Sequence, residues 1–141
     1  MTIKTDVKNR KIARILRDLE YLRSIQELSK DQFLGDIVTL LATHYALLES
    51  IQIVIDLAFH ICAQNKLHEP ENYREAFKIL SQNNLLSSEL AANLSDWAGL
   101  RNILAHQYLD VNDERIYDFI HSELSAFDQF LEEIAKLEEV D

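Results

Sequence analysis

Two glycines and one proline in 141 residues constrain this chain more than any other feature of its sequence. Strand-rich folds spend both residue types on their many tight turns, so a β-sandwich or barrel is excluded and long helices joined by a few loops remain. The length fits one domain, residues 1–141, and a chain of this size buries roughly 68–70% of its surface. Hydrophobic residues make up 48% and charged residues 27%, the balance of an ordinary globular protein. Cys62 is the sole cysteine, which leaves no partner for an internal disulfide and no multi-cysteine zinc site. A reducing cytoplasm is the expected compartment, and no apolar leader with a cleavage site precedes the first amphipathic stretch.

Helical periodicity divides the chain into about five segments. Ile12, Ile15, Leu16, Leu19, Leu22 and Ile25 recur at helical spacing between about Val7 and Leu28. Ser29 with Gln32 has the capping-box pattern and opens a second helix, expected to run unbroken from about Asp31 to Gln64. That helix is apolar on most faces but carries Glu49 and Asp56, which makes it a central buried helix and not a membrane span. Asn72 with Glu75 starts a short helix that Asn83 and Asn84 end. A fourth segment runs from about Ser88 to His106, and Asp110 to Glu114 lead into a last helix ending near Leu137. The predicted architecture is an all-α antiparallel bundle of about five helices.

Net charge is −10, yet its distribution is uneven. Residues 1–23 carry +4 and residues 110–141 carry −9. Attraction between a basic first helix and an acidic last helix accounts for this within one bundle. Alternatively the basic helix, with Lys8, Arg10, Lys11 and Arg14, rims a site for an anion while the acidic helix meets a basic partner.

Several chemistries lack their residues. The chain has no glycine-rich phosphate loop, no HExxH and no GxSxG. Cys62, between Ile61 and Ala63, reads as inert packing. Asp56 and His60, four apart, read as an internal pair in preference to half a metal site. His44 lies more than about 20 Å from His60 along the same helix, too far to share an ion. His68 and His121 read as solvent residues, so no metal or cofactor is expected.

The segment from Trp97 to Tyr108 stands apart. On a helical wheel Leu90, Leu94, Trp97, Leu100 and Leu104 form one apolar stripe. Ala91, Ser95, Ala98, Gly99 and Asn102 form a second face of small residues, where a second copy of the chain is expected to pack. Arg101 falls near the edge of the apolar stripe, so it must pair with a buried acid, Glu49 or Asp56, or open into a cleft. Arg101, Asn102 and His106 fan over about 140° at the end of one helix. Doubled across a two-fold axis, they suit a phosphodiester: imidazole moves protons near neutral pH, and guanidinium offers a fixed fork of donors to charge developing on phosphorus. The plainer alternative places Arg101 in an internal ion pair and His106 at a helix end.

Arg101-Asn102-Ile103-Leu104-Ala105-His106-Gln107-Tyr108 resembles the R-x4-H-x-Y motif of HEPN-domain toxins of the HepT-like branch, including the asparagine after the arginine. Asp31-Gln32-Phe33-Leu34, Ile55-Asp56-Leu57-Ala58 and Val111 to Phe119 extend the likeness over nearly the whole chain. The resemblance implies an all-α homodimeric endoribonuclease that cuts RNA, transfer or messenger, without metal and leaves a 2′,3′-cyclic phosphate. Arg101 and His106 would be its catalytic pair, with Asn102 assisting. It also implies a toxin–antitoxin (type VII) partnership with an MNT-type nucleotidyltransferase that adenylylates Tyr108. An extended backbone after His106 would point residues 106 and 108 to the same side, and AMP there would repel an RNA backbone. The alternative is a non-catalytic helical subunit that docks the nucleotidyltransferase and is its modification target.

Overall fold

A computed structural model describes all 141 residues. Six helices form the bundle: α1 (Thr5–Ile25), α2 (Lys30–Leu34), α3 (Ile37–Gln64), α4 (Tyr73–Gln82), α5 (Ser88–His106) and α6 (Asp113–Ala135). The all-α expectation holds, with one helix more because the long second helix is two. Ser29 does start α2 with a reciprocal capping box, its hydroxyl accepting from the Gln32 N–H and the Gln32 side chain accepting from the Ser29 N–H. The helix ends five residues later at Gly35. Asp36 then takes extended backbone angles, and its carboxylate accepts from the N–H groups of Val38 and Thr39, restarting the chain as α3. An N-cap satisfies orphan donors that a continuous helix would have bonded itself, so this aspartate stabilises the break.

Asn72, Ser87 and Asn112 cap α4, α5 and α6 in the same way. Asn84 takes the left-handed conformation, φ 63°, just past the end of α4, a backbone state asparagine tolerates better than most residues. The chain ends pair in a way the periodicity did not predict. Strands β1 (Thr2–Lys4) and β2 (Glu138–Val140) run parallel, with Ile3 opposite Glu139. They bury Ile3 completely and clamp the first helix to the last.

α3 is the axis of the bundle. By length and apolarity it could cross a membrane, but here most of it is buried by its neighbours. Leu47, Ile51, Val54, Leu57, Ala58 and Ile61 are fully or almost fully buried. Around them pack Ile15, Leu19 and Leu22 of α1, Phe77 and Leu80 of α4, Leu90 and Leu94 of α5, and Phe127 and Phe130 of α6. Trp97 of α5 sits 4.3 Å from the Phe127 ring centroid and edge-on to Phe119 at 5.5 Å. Each such side chain contributes about 1.5–3 kcal/mol on full burial, so the position of α5 is firmly set from behind.

The basic first helix does not chiefly answer the acidic last one. Arg23–Asp128 and Lys8–Glu139 do join the two ends of the chain. Three other α1 cations instead meet α3: Lys11 pairs with Asp56 at 3.0 Å, and Arg14 and Arg17 pair with Glu49 at 2.6 and 3.1 Å. Beneath that seam Asp18 is only 3% exposed, with Oδ2 unbonded. Burial and the neighbouring Glu49 carboxylate hold its carboxyl up at about 6. Burial acts to raise Glu49 as well, but hydrogen bonds from Arg14 and Tyr45 outweigh it and bring that carboxyl down to about 2.

Candidate active site

α5 ends at His106 because Gln107 leaves helical angles, at φ −127° and ψ 49°. Its final turns carry Arg101, Asn102 and His106 side by side. The Arg101 Nη1 lies 3.3 Å from Asn102 Oδ1 and 3.4 Å from His106 Nε2. Asn102 and His106 are exposed, whereas Arg101 is half-buried, so the cluster faces solvent over a fixed guanidinium.

The partner expected for Arg101 differs. Neither Glu49 nor Asp56 touches it, since each is already occupied by cations of α1. Arg101 Nε instead donates to Gln52 Oε1 at 2.8 Å, and Gln52 Nε2 donates to Asp56 Oδ1 at 2.8 Å. Its guanidinium carbon also stands 5.6 Å from the centroid of the Tyr73 ring, a cation–π distance. Asp56 and His60 do not pair either. His60 Nε2 accepts the Lys4 N–H at 3.4 Å, and burial holds its imidazole below the usual range.

Arg101 and Ala105 line a groove of about 790 Å³ between α1 and α3. Arg10, Lys11 and Arg14 line it too, so the basic first helix does flank this site. Asp6, Glu49 and Asp56 temper that charge, leaving the groove close to balanced. Among the other histidines, His44 bonds Asp113 and ties α3 to the start of α6, His68 meets Glu75 at 3.3 Å on the surface, and His121 bonds the Tyr117 carbonyl. No three histidine, cysteine or acidic side chains cluster as metal ligands. Cys62 is buried, and that burial pushes its thiol up, away from reactivity.

Two local expectations are corrected. The chain after His106 is not extended: Tyr108–Asp110 form a single 3₁₀ turn, closed by the Asp110 N–H to the Gln107 carbonyl at 2.8 Å. Tyr108 is nonetheless 76% exposed, its phenol open to a reagent. The small-residue face is also less available than its wheel position implies. Ala91 and Ala98 are buried in the protein's own core, and only Gly99 and Asn102 of that face are exposed. The more prominent bare apolar surface lies on the first half of α3, where Ile37, Val38, Leu41 and Tyr45 are all more than half exposed. Tyr45 also lines the groove beside Arg101, so the two surfaces are continuous.

Gln52 and Tyr73 are the site residues that pattern reading passed over. Glu49, Gln52 and Asp56 follow one another at helical spacing, a polar stripe on an otherwise apolar helix, and that stripe was the available signal.

The comparison with known families settles the ancestry of this arrangement. The family model for ribonuclease HepT-like proteins matches residues 15–134. The chain belongs to that family. An mRNA nuclease HepT from Shewanella oneidensis is 34% identical over 133 residues, 92% of this chain and 96% of the relative. A tRNA nuclease HepT from Aphanizomenon flos-aquae is 29% identical over 118 residues, 84% of this chain and 80% of the relative. Among solved structures, a tri-AMPylated Shewanella oneidensis HEPN toxin in complex with an MNT antitoxin superimposes with a TM-score of 0.84 at 30% identity. That match covers 93% of this chain and 98% of the toxin. The resemblance drawn from the motif and its flanks is therefore a HepT-like relationship over almost the full length.

Proposed function

We propose that this HepT-like protein is a cytoplasmic toxin endoribonuclease of a HEPN/MNT toxin–antitoxin pair, acting without a metal at a site shared by two copies of the chain. The convergence of Arg101, Asn102 and His106 on one solvent-facing cluster carries the reading. His106 accepts the proton of a ribose 2′-hydroxyl, and the 2′-oxygen attacks phosphorus. A P–O2′ bond forms and the P–O5′ bond breaks, with the imidazolium of the second copy giving its proton to the departing 5′-oxygen. Arg101 and Asn102 bear on the non-bridging oxygens, where charge grows in the transition state. Transfer and messenger RNA both remain open as substrates, and relatives carry the name of each.

The chemistry leaves its mark on the product. RNA fragments are expected to end in 2′,3′-cyclic phosphate, so that 3′-adapter ligation fails until the ring is opened and the phosphate removed. Fragments that ligate directly, with free 3′-hydroxyls, would contradict the mechanism.

The bare apolar face of α3, continuous with the groove, supports a homodimer that closes around the ends of both α5 helices. A stable interface needs roughly 800 Å² per partner, more than Gly99 and Asn102 provide alone. Leu41→Asp sets a charge on that face at a side chain 60% exposed in the monomer, so the fold should survive. Sedimentation should show a monomer, and cleavage should fall at least tenfold. A dimer of undiminished affinity would move the interface elsewhere.

Silencing follows from Tyr108, which the 3₁₀ turn presents to solvent directly after the catalytic helix. Adenylylation by an MNT-type nucleotidyltransferase would place bulk and negative charge beside the groove and repel the RNA backbone. The similar Shewanella toxin is tri-AMPylated in its complex with an MNT antitoxin, which supports this regulation.

A further inference from the structure

We propose that Gln52 is the positioning residue for Arg101, fixing the guanidinium by its Nε while leaving its charge and its Nη2 donors for phosphate. The inference rests on the reading of Arg101 as the phosphate-binding group and names what holds it in place.

The hydrogen bonds run in one consistent direction. Lys11 Nζ donates to Asp56 Oδ2 at 3.0 Å, fixing that carboxylate. The other oxygen, Oδ1, accepts from Gln52 Nε2 at 2.8 Å. The amide is thereby oriented with Oε1 outward, and Oε1 accepts from Arg101 Nε at 2.8 Å. Because Asp56 can only accept when ionised, the carboxamide has no competing orientation. Tyr73 flanks the guanidinium at cation–π distance, a second restraint on its plane. Of the remaining nitrogens, Nη1 reaches Asn102 and His106, and Nη2 has no protein partner.

The choice of a neutral acceptor has a consequence. A carboxylate in the place of Oε1 would orient Arg101 equally well but would also neutralise it. With an amide there, the nearest acid, Asp56, is one hydrogen bond further away and already paired with Lys11. The guanidinium thus stays oriented and charged. A long side chain without that bond would sample several rotamers, and a 1 Å misplacement of a catalytic group can cost about 100-fold in rate.

Two variants separate orientation from charge. Gln52→Leu removes the acceptor, and kcat for RNA cleavage should fall roughly tenfold to 100-fold with KM little changed. Gln52→Glu made together with Asp56→Asn keeps an acceptor for Nε and a donor–acceptor contact between positions 52 and 56, but moves the negative charge next to the guanidinium, so KM should rise more than kcat falls. Nitrogen-15 NMR of the Arg101 Nε–H, assigned by its disappearance in Arg101→Lys, supplies a readout independent of catalysis. The resonance should exchange slowly with water in the wild type and in the Gln52→Glu/Asp56→Asn double variant, and rapidly in Gln52→Leu. Wild-type kcat together with an unchanged Nε–H signal in Gln52→Leu overturns the proposal. If the wild type cleaves no RNA, the ribonuclease reading fails, and the NMR comparison still decides whether Gln52 holds Arg101. Should Gln52→Leu fold poorly, the Gln52→Glu/Asp56→Asn double variant carries the test: a rapidly exchanging Nε–H or an unchanged KM in that variant counts against the proposal.

Discussion

Arg101→Ala is expected to reduce RNA cleavage by about two to three orders of magnitude, the scale of losing a donor aimed at developing negative charge. The loss should leave the fold intact. Arg101 makes no salt bridge, its side chain lies at the rim of the groove, and the packing that fixes α5 comes from Leu90, Leu94 and Trp97 behind it. Arg101→Lys should recover little of the activity. An ammonium on a flexible stem keeps the charge, but it cannot bond Gln52 through one nitrogen while presenting a planar fork beside Asn102 and His106. Initial rates at matched protein concentration, with thermal melts of each variant, check both statements. Near wild-type cleavage by Arg101→Lys would show that only the charge at this position matters.

Local signals carried much of the fold. The capping patterns at Ser29 and Asn72, the apolar periodicity and the scarcity of glycine and proline place the helices near their observed positions, because each is decided by residues within a turn or two. The break at Gly35 was missed because a single Asp36 side chain, bonding two residues onward, outweighs a hydrophobic pattern that continues across it. The β1–β2 pair was missed for the opposite reason. Three-residue strands show no alternation, and their pairing joins opposite ends of the chain.

The site divides along the same line. Arg101, Asn102 and His106 lie within six residues on one helix, so their proximity follows from helical geometry. What holds Arg101 does not, because Gln52 comes from α3 and Tyr73 from the start of α4, and only the packed bundle brings them to α5. The charge pattern of α1 was visible in sequence, whereas its distribution between Glu49 and Asp56 was not. Either an ion pair with Glu49 or Asp56 or an opening into a cleft was expected for Arg101, because an unpaired buried guanidinium is costly, and Arg101 does line the groove. The structure supplies an amide instead, and the acids serve Lys11, Arg14 and Arg17.

His106→Ala is the other substitution with a large expected effect. His106 stands on the last residue of α5, exposed, beside Arg101 Nη1, with no packing role visible in the bundle. Removal of a positioned acid–base group costs about 100-fold to 10,000-fold in rate, and here each dimer would lose both copies at once. Stability should scarcely change, which separates this loss from one caused by misfolding. The proposed cyclic-phosphate product presupposes this proton transfer.

The most direct test is cleavage of total RNA in excess chelator by the purified protein, its mass first shown to be free of AMP, set against His106→Ala under the same conditions. The expected result is chelator-resistant cleavage by the wild type and its disappearance in the variant. Intact RNA with verified unmodified protein, or equal cleavage by the variant, would contradict a metal-free His106 mechanism and favour a docking subunit for a nucleotidyltransferase.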